Sequence, residues 1–246
     1  MRIHDESRRI QRTLLIDADD TLWENNIYYL RCTAQFLDYV AAAGLDRVRA
    51  AETLAACERE VIPTMGYGPR GFIQALGMCY ARLAEAAGLP ADDDAVARAR
   101  ACGEAILDPP TALIGEAEYV LRALRPTSAL VLVTKGDETH QRYKIERSGL
   151  SYLFDAEYIV AEKDPDTYRR IVAEIDADRE TTWMVGNSPR SDINPAVEAG
   201  LGAVLIPHDH TWTAEVERIE HPEVVITLAS LCGLLELFDI DAECAG

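Results

Sequence analysis

One short stretch constrains this chain more than any other. The apolar run Leu14-Leu15-Ile16 stops at Asp17-Ala18-Asp19-Asp20 and continues as Thr21-Leu22-Trp23. A brief Leu/Ile run between polar residues reads as a buried strand, here the first in the chain. Side chains alternate along a strand, so Asp17 and Asp19 leave on the same side. They do so just past the carboxyl end of the strand, where open α/β sheets place their ligands. Two carboxylates that close repel each other, so the pair calls for a bound cation or for a proton on one of them. Either arrangement is useful in catalysis.

Beyond that strand the chain is helical for a long way. A first helix is expected from an Asn25 or Asn26 cap to about Ala43, and a second from Asp46 to Ile62, stopped by Pro63. Met65-Gly66-Tyr67-Gly68-Pro69-Arg70-Gly71 reads as a loop, succeeded by helices over about 72–87 and from Asp92–Asp94 to before Pro109-Pro110. After Pro110 the pattern changes. Short apolar strands near 129–133, 157–160, 183–185, 203–206 and 224–226 alternate with helices, one of them over about 189–199. That alternation implies an α/β fold, with a Rossmann-like parallel sheet covered by helices on both faces. The expected organisation is a core of residues 1–24 and 111–246, with an all-α domain, residues 25–110, inserted after the first strand.

Four stretches carry chemistry, each behind a strand. Asp17-Ala18-Asp19-Asp20-Thr21 is the first. In the second, Thr134-Lys135-Gly136 offers a hydroxyl and backbone N–H groups to an anion. The third places Lys163 two residues before Pro165 at a helix start. The fourth is Gly186-Asn187-Ser188-Pro189-Arg190-Ser191-Asp192. In this order and spacing they resemble the four motifs of the haloacid dehalogenase-like superfamily, including its members with an α-helical cap inserted after the first motif. Three departures stand out: Asp20 replaces the usual Gly, Asp164 a usual Pro, and Asn187 the first acid of the fourth motif.

The resemblance implies a Mg²⁺-dependent phosphatase acting on a small phosphorylated metabolite. Asp17 is the nucleophile that forms an aspartyl phosphate, and Asp19 the general acid and base. Thr134 and Lys163 stabilise the phosphoryl group, with Lys135 and Gly136 beside them. Asp17, Asp19 (through its backbone carbonyl), Asp192 and Asn187 are the expected metal positions. Trp23, Tyr67 and Arg70 are candidate substrate contacts. Asp19 argues against dehalogenation, because a leaving halide needs no proton. A phosphonatase would need a Schiff-base lysine in the insert, and residues 25–110 contain no lysine. A phosphomutase shares all four motifs and stays open as an alternative, as does a dormant binding protein on the same fold.

Composition adds exclusions. With 24 basic and 42 acidic residues the net charge is −18, which disfavours nucleic acid and anionic membranes as partners. No apolar run is long enough to span a membrane, and the charged start MRIHDESRRIQR carries no apolar signal region. The six cysteines form no CxxC pair and read as reduced thiols of a cytoplasmic protein. His208-Asp209-His210 reads as loop polarity after a strand, two histidines lacking a third ligand.

Overall fold

The computed structural model describes residues 10–90, 92–242 and 244; the polar lead-in expected over residues 1–11 falls mostly outside them. The chain divides into two compact units. One runs to Asn26 and resumes at Thr111, and the other is Ile27–Pro110.

The second unit is built from α1 (Asn26–Ala42), α2 (Arg47–Met65), α3 (Pro69–Ala86) and α4 (Asp93–Ala101), with a 3₁₀ turn at Glu104–Leu107 after them. Its core gathers Phe36 and Val40 from α1, Leu54, Cys57 and Val61 from α2, and Leu76, Cys79 and Leu83 from α3. These recur at helical spacing, which is why each helix buries one stripe. Asp46 caps α2 by accepting from the N–H groups of Val48 and Arg49.

Two expectations about this unit need correction. Pro63 does not end α2. It withholds only its own N–H, and the helix continues until the Gly66 N–H reaches the Ile62 carbonyl at 2.8 Å. The loop is therefore only Gly66-Tyr67-Gly68, because Pro69 opens α3 at a position where a missing N–H costs nothing. At the start of α1 the Asp20 carboxylate accepts from the N–H groups of both Asn25 and Asn26.

The first unit holds a six-stranded, all-parallel sheet: β1 (Arg12–Ile16), β2 (Ser128–Lys135), β3 (Ala156–Val160), β4 (Thr182–Gly186), β5 (Gly202–Leu205) and β6 (Val225–Thr227), in the order β3-β2-β1-β4-β5-β6. The helices α5 (Ala117–Leu124), α6 (Glu138–Ser148), α7 (Pro165–Glu174), α8 (Asn194–Glu198) and α9 (Gly233–Leu237) cover it. Alternation along the strands divides the core. Leu14, Ile16, Leu130 and Leu132 pack with Leu121 and Leu124 of α5, Ile145 of α6 and Leu234 of α9. Leu15, Val131, Val133 and Met184 pack with Tyr168 and Ile171 of α7 and Ala196 of α8. Both faces are thus buried, which explains why these strands read as unbroken apolar runs.

The cysteine reading is also corrected. Cys232 and Cys244 form a disulfide, while Cys32, Cys57, Cys79 and Cys102 are free. The partners stand 12 positions apart, on either side of α9. No spacing signature marks such a pair. Among the described residues no helix is long and apolar enough to cross a membrane.

Candidate active site

The sheet order places the site. From β1 the chain moves outward to β2 and β3, then returns to β4 on the other side of β1. A ligand crevice forms at such a reversal, outside the carboxyl ends of the strands. Ile16 pairs with Leu132 on one side and Val185 on the other. Asp17 therefore leaves the sheet beside Val133–Thr134 and Gly186–Asn187, and its N–H is fixed by the Val185 carbonyl at 2.9 Å.

Asp17 is buried between two side chains. One carboxylate oxygen meets the Lys163 ammonium, and the other accepts from the Thr21 hydroxyl at 2.9 Å. Lys163 also donates to Asp192 at 2.7 Å, so one ammonium bridges two buried carboxylates. Burial pushes the Asp17 carboxyl up to about 7; Lys163 pulls it down and Asp192 pushes it further up. Burial alone would lower Lys163, but Asp17 and Asp192 hold it above its ordinary value. Asn187 turns its amide oxygen to Thr21 at 3.4 Å and donates to Thr211 at 2.9 Å. Asp17, Asp192 and Asn187 thus line the site with oxygen donors, and two carboxylates against one ammonium leave a negative charge over.

The backbone that presents Asp192 departs from expectation. In place of one helix over 189–199, a π turn at Pro189–Ile193 precedes the short α8. The cause is local. Pro195 has no N–H to give the Ser191 carbonyl, and Asn194 donates back to Pro189 instead. The freed Ser191 carbonyl accepts from the buried Tyr168 hydroxyl at 2.8 Å. The wide turn brings Asp192 onto the Ser188 N–H at 2.9 Å. It also needs Gly186, since a Cβ there would collide with the Asp192 carboxylate.

Asp19 faces a different lysine. Both its oxygens lie 2.6 Å from the Lys144 ammonium, and they also accept from the Trp23 indole at 2.8 Å and the Gln141 amide at 2.9 Å. Burial would raise Asp19, but Lys144, Gln141 and Trp23 together hold it below the ordinary carboxylate value. The repulsion expected between Asp17 and Asp19 is therefore relieved by separate lysines.

The remaining candidates occupy varied positions. Thr134 is buried at the carboxyl end of β2. The Lys135 ammonium is engaged by Glu215 at 2.8 Å, Ser191 at 2.8 Å and Glu162 at 3.1 Å. The Gly136 N–H goes to the Val160 carbonyl at 3.1 Å. Trp23 is fully buried in the core, with its indole N–H on Asp19. Tyr67 and Arg70 belong to the helical unit, where Arg70 is exposed.

Sequence reasoning does not single out Lys144, Gln141, Tyr168 or Glu215. Glu215 accepts from Ser188, Ser191 and Lys135; burial would raise it, and these partners hold it low. One signal was available. The chain has only three lysines, Lys135, Lys144 and Lys163, and all three meet carboxylates here.

Comparisons with known proteins place the fold in a family. Residues 11–200 match the haloacid dehalogenase-like hydrolase family. A solved haloacid dehalogenase-like family hydrolase from Xanthomonas campestris is 30% identical, with a TM-score of 0.80 over 96% of this chain and 93% of that one. The 2-haloacid dehalogenase of Pseudomonas syringae, 20% identical with a TM-score of 0.59 over 93% of this chain and 98% of that one, shares the fold. A phosphoserine phosphatase of Thermus thermophilus is 32% identical over 117 residues, 45% of this chain and 44% of that protein. The chain therefore spans less than half the length of that curated relative. With one match across most of the sequence and another across nearly the whole structure, the chain belongs to the haloacid dehalogenase-like family and is a hydrolase.

Proposed function

We propose that this hydrolase is a phosphatase, cleaving a small phosphate monoester through an aspartyl phosphate on Asp17. The observation that carries the reading is a second carboxylate, Asp19, two residues beyond a buried Asp17 and held apart from it by its own lysine. A halide leaves as a stable anion, whereas an alkoxide needs a proton, so a positioned acid beside the nucleophile suits phosphate esters.

In this reading an Asp17 oxygen attacks phosphorus as the bond to the leaving oxygen breaks. Asp19 gives that oxygen a proton, then takes one from the water that attacks phosphorus and frees Asp17. Asp19 is ionised beside Lys144, so its acid role requires it to gain a proton as substrate binds. Lys163 and Thr134 offset charge on the phosphoryl oxygens. The donor set of Asp17, Asp192 and Asn187, with the backbone carbonyl of Asp19, is all oxygen and one negative charge over, which fits Mg²⁺. Bound there, Mg²⁺ would neutralise further phosphoryl charge. The helical unit, as a cap, would read the leaving group through Tyr67 and Arg70.

A small alkyl monoester such as phosphoserine, the substrate class of the Thermus relative, is the first candidate. The test is phosphate release from a panel of metabolite monoesters, with Mg²⁺ and with EDTA. The reading expects turnover of at least one monoester that stops in EDTA and in Asp17→Asn. Turnover of haloacids with none of any monoester would sink it.

A further inference from the structure

The fold supplies the third ligand that the sequence around His208 lacks. A carboxylate oxygen of Glu24 and ring nitrogens of His208 and His210 all lie within 4.8 Å of one another. Glu24 comes directly after the Asp17–Trp23 stretch and the two histidines come after β5, so the three meet only because β1 and β5 flank β4. The His208 Nε2 faces Glu24 Oε2 at 3.5 Å, and the two imidazole rings stand 5.5 Å apart. Glu24 Oε2 is closed to solvent yet accepts no hydrogen bond. A shielded carboxylate oxygen without a donor is costly, which favours a positive group in front of it. On the far side of the His208 ring, Nδ1 stands 3.8 Å from Asp20 Oδ1 and accepts weakly from the His210 N–H at 3.3 Å. The Asn26 amide holds the His210 carbonyl at 2.6 Å, so this loop is anchored where the ligands need it.

We propose that Glu24, His208 and His210 form a second cation site, for a borderline divalent ion of the zinc type. Two imidazoles and one carboxylate make a tetrahedral zinc set with one position open to water. Imidazole donors favour zinc, nickel or cobalt over magnesium, so the site is chemically distinct from the oxygen-only cluster around Asp17. Zinc–ligand bonds of about 2.0–2.1 Å require the ligands to draw together by roughly 1 Å, within the reach of side-chain rotation. A bound ion would tie the segment after Asp17 to the segment after β5. The latter also carries Thr211, whose hydroxyl accepts from Asn187 at 2.9 Å. The role this implies is bracing of two loops beside the candidate active site, independent of which reaction runs there.

The test reads binding and needs no substrate. Metal-free protein is titrated with Co²⁺, monitored by visible absorption, and with Zn²⁺, monitored by metal content after gel filtration. The wild type should hold one more equivalent of zinc than His208→Gln/His210→Gln or Glu24→Gln, and should show the intense cobalt bands of a tetrahedral site that both variants lose. Zinc should also raise the thermal midpoint of the wild type alone. Histidine side-chain NMR of the wild type makes the test independent of how the variants fold. His208 and His210 should shift together at the first equivalent of zinc. Equal zinc content in all three proteins, or a zinc titration that leaves both histidines unmoved, would reduce the cluster to a plain His208–Glu24 ion pair and overturn the proposal.

Discussion

The ammonium of Lys144 stands 2.6 Å from both carboxylate oxygens of Asp19, although 125 positions separate the two residues in the chain. This contact splits the two acids of the first motif. Burial pushes the Asp17 carboxyl up to about 7, while Lys144, Gln141 and Trp23 hold Asp19 below the ordinary carboxylate range. A catalytic cycle through Asp17 needs the reverse: an ionised nucleophile and a protonated acid. A divalent cation beside Asp17 would favour its ionised form. Lys144 governs the other half of the exchange.

Lys144→Met should therefore raise the Asp19 pKa, because it removes the charge that holds it down. The limb of the kcat/KM pH profile that Asp19→Asn abolishes should move to higher pH in Lys144→Met. The variant should also be less stable by about 3 kcal/mol, the low end for losing one partner of a buried pair. The low end applies because the Asp19 side chain keeps 20% of its surface exposed. An unshifted limb with the same stability loss would make Lys144 a packing residue only.

His140, one turn before Lys144 on α6, gives a separate pH test. Burial, aided by Lys144, lowers its pKa from 6.5 to about 4. Its folded-state pKa lies below the unfolded one, so the unfolded chain binds the extra proton between those values. Stability is then lost as pH falls from about 6.5 to about 4. Compared with His140→Gln, the wild type should lose about 1–2 kcal/mol more across that window, discounted for partial exposure. Parallel denaturant-unfolding curves for the two proteins at every pH would contradict this.

Tyr168→Phe removes the donor that satisfies the Ser191 carbonyl freed by Pro195. The cost should be about 1–3 kcal/mol, that of an unsatisfied buried acceptor. Because this turn carries Asp192, activity should fall further than stability alone explains. Thermal unfolding and kcat/KM on one sample separate the two effects. Gly186→Ala should displace Asp192 directly, and misplacing a reacting group by about 1 Å can cost about 10²-fold in rate.

What was legible in the sequence, and what was not, divides along physical lines. The strands and their order of chemistry were legible because the apolar runs end in polar residues at the carboxyl edge of the sheet, as at Ile16–Asp17 and Gly186–Asn187. The end of α6 was legible because Gly149 takes the left-handed conformation, with φ of 70°, that closes helices. The course of α2 through Pro63 was not, since one missing N–H near a helix end is a small local cost that packing by Val61 outweighs. Lys144 and Gln141 stayed hidden because α6 is rich in polar residues and resembles a solvated helix until the sheet shows which side faces Asp19. Glu215 and the Cys232–Cys244 pair lie in segments with no periodic signal at all.

Specificity is expected from the helical unit. In the proposed reading the residues around Asp17 bind only the phosphate, so the leaving group would be read elsewhere. Tyr67 lies between the two positive-φ glycines Gly66 and Gly68, and Arg70 stands in the first turn of α3. Tyr67→Ala and Arg70→Ala should lower kcat/KM on the best metabolite substrate by tenfold or more, on the order of one lost polar contact, and lower it less on a small aryl phosphate. Equal losses on both substrates, or none, would remove these two residues from substrate selection.

The central claim is that Asp17 carries the phosphoryl group during turnover, and quenched-flow mass spectrometry tests it most directly. The protein is mixed with its best monoester and Mg²⁺, quenched in acid within one turnover, and digested. The peptide containing Asp17 should gain one phosphoryl group that decays as inorganic phosphate appears, and Asp17→Asn should show neither the adduct nor the product. Full turnover with no phosphoryl group on that peptide at any time, or undiminished phosphate release by Asp17→Asn, would contradict it.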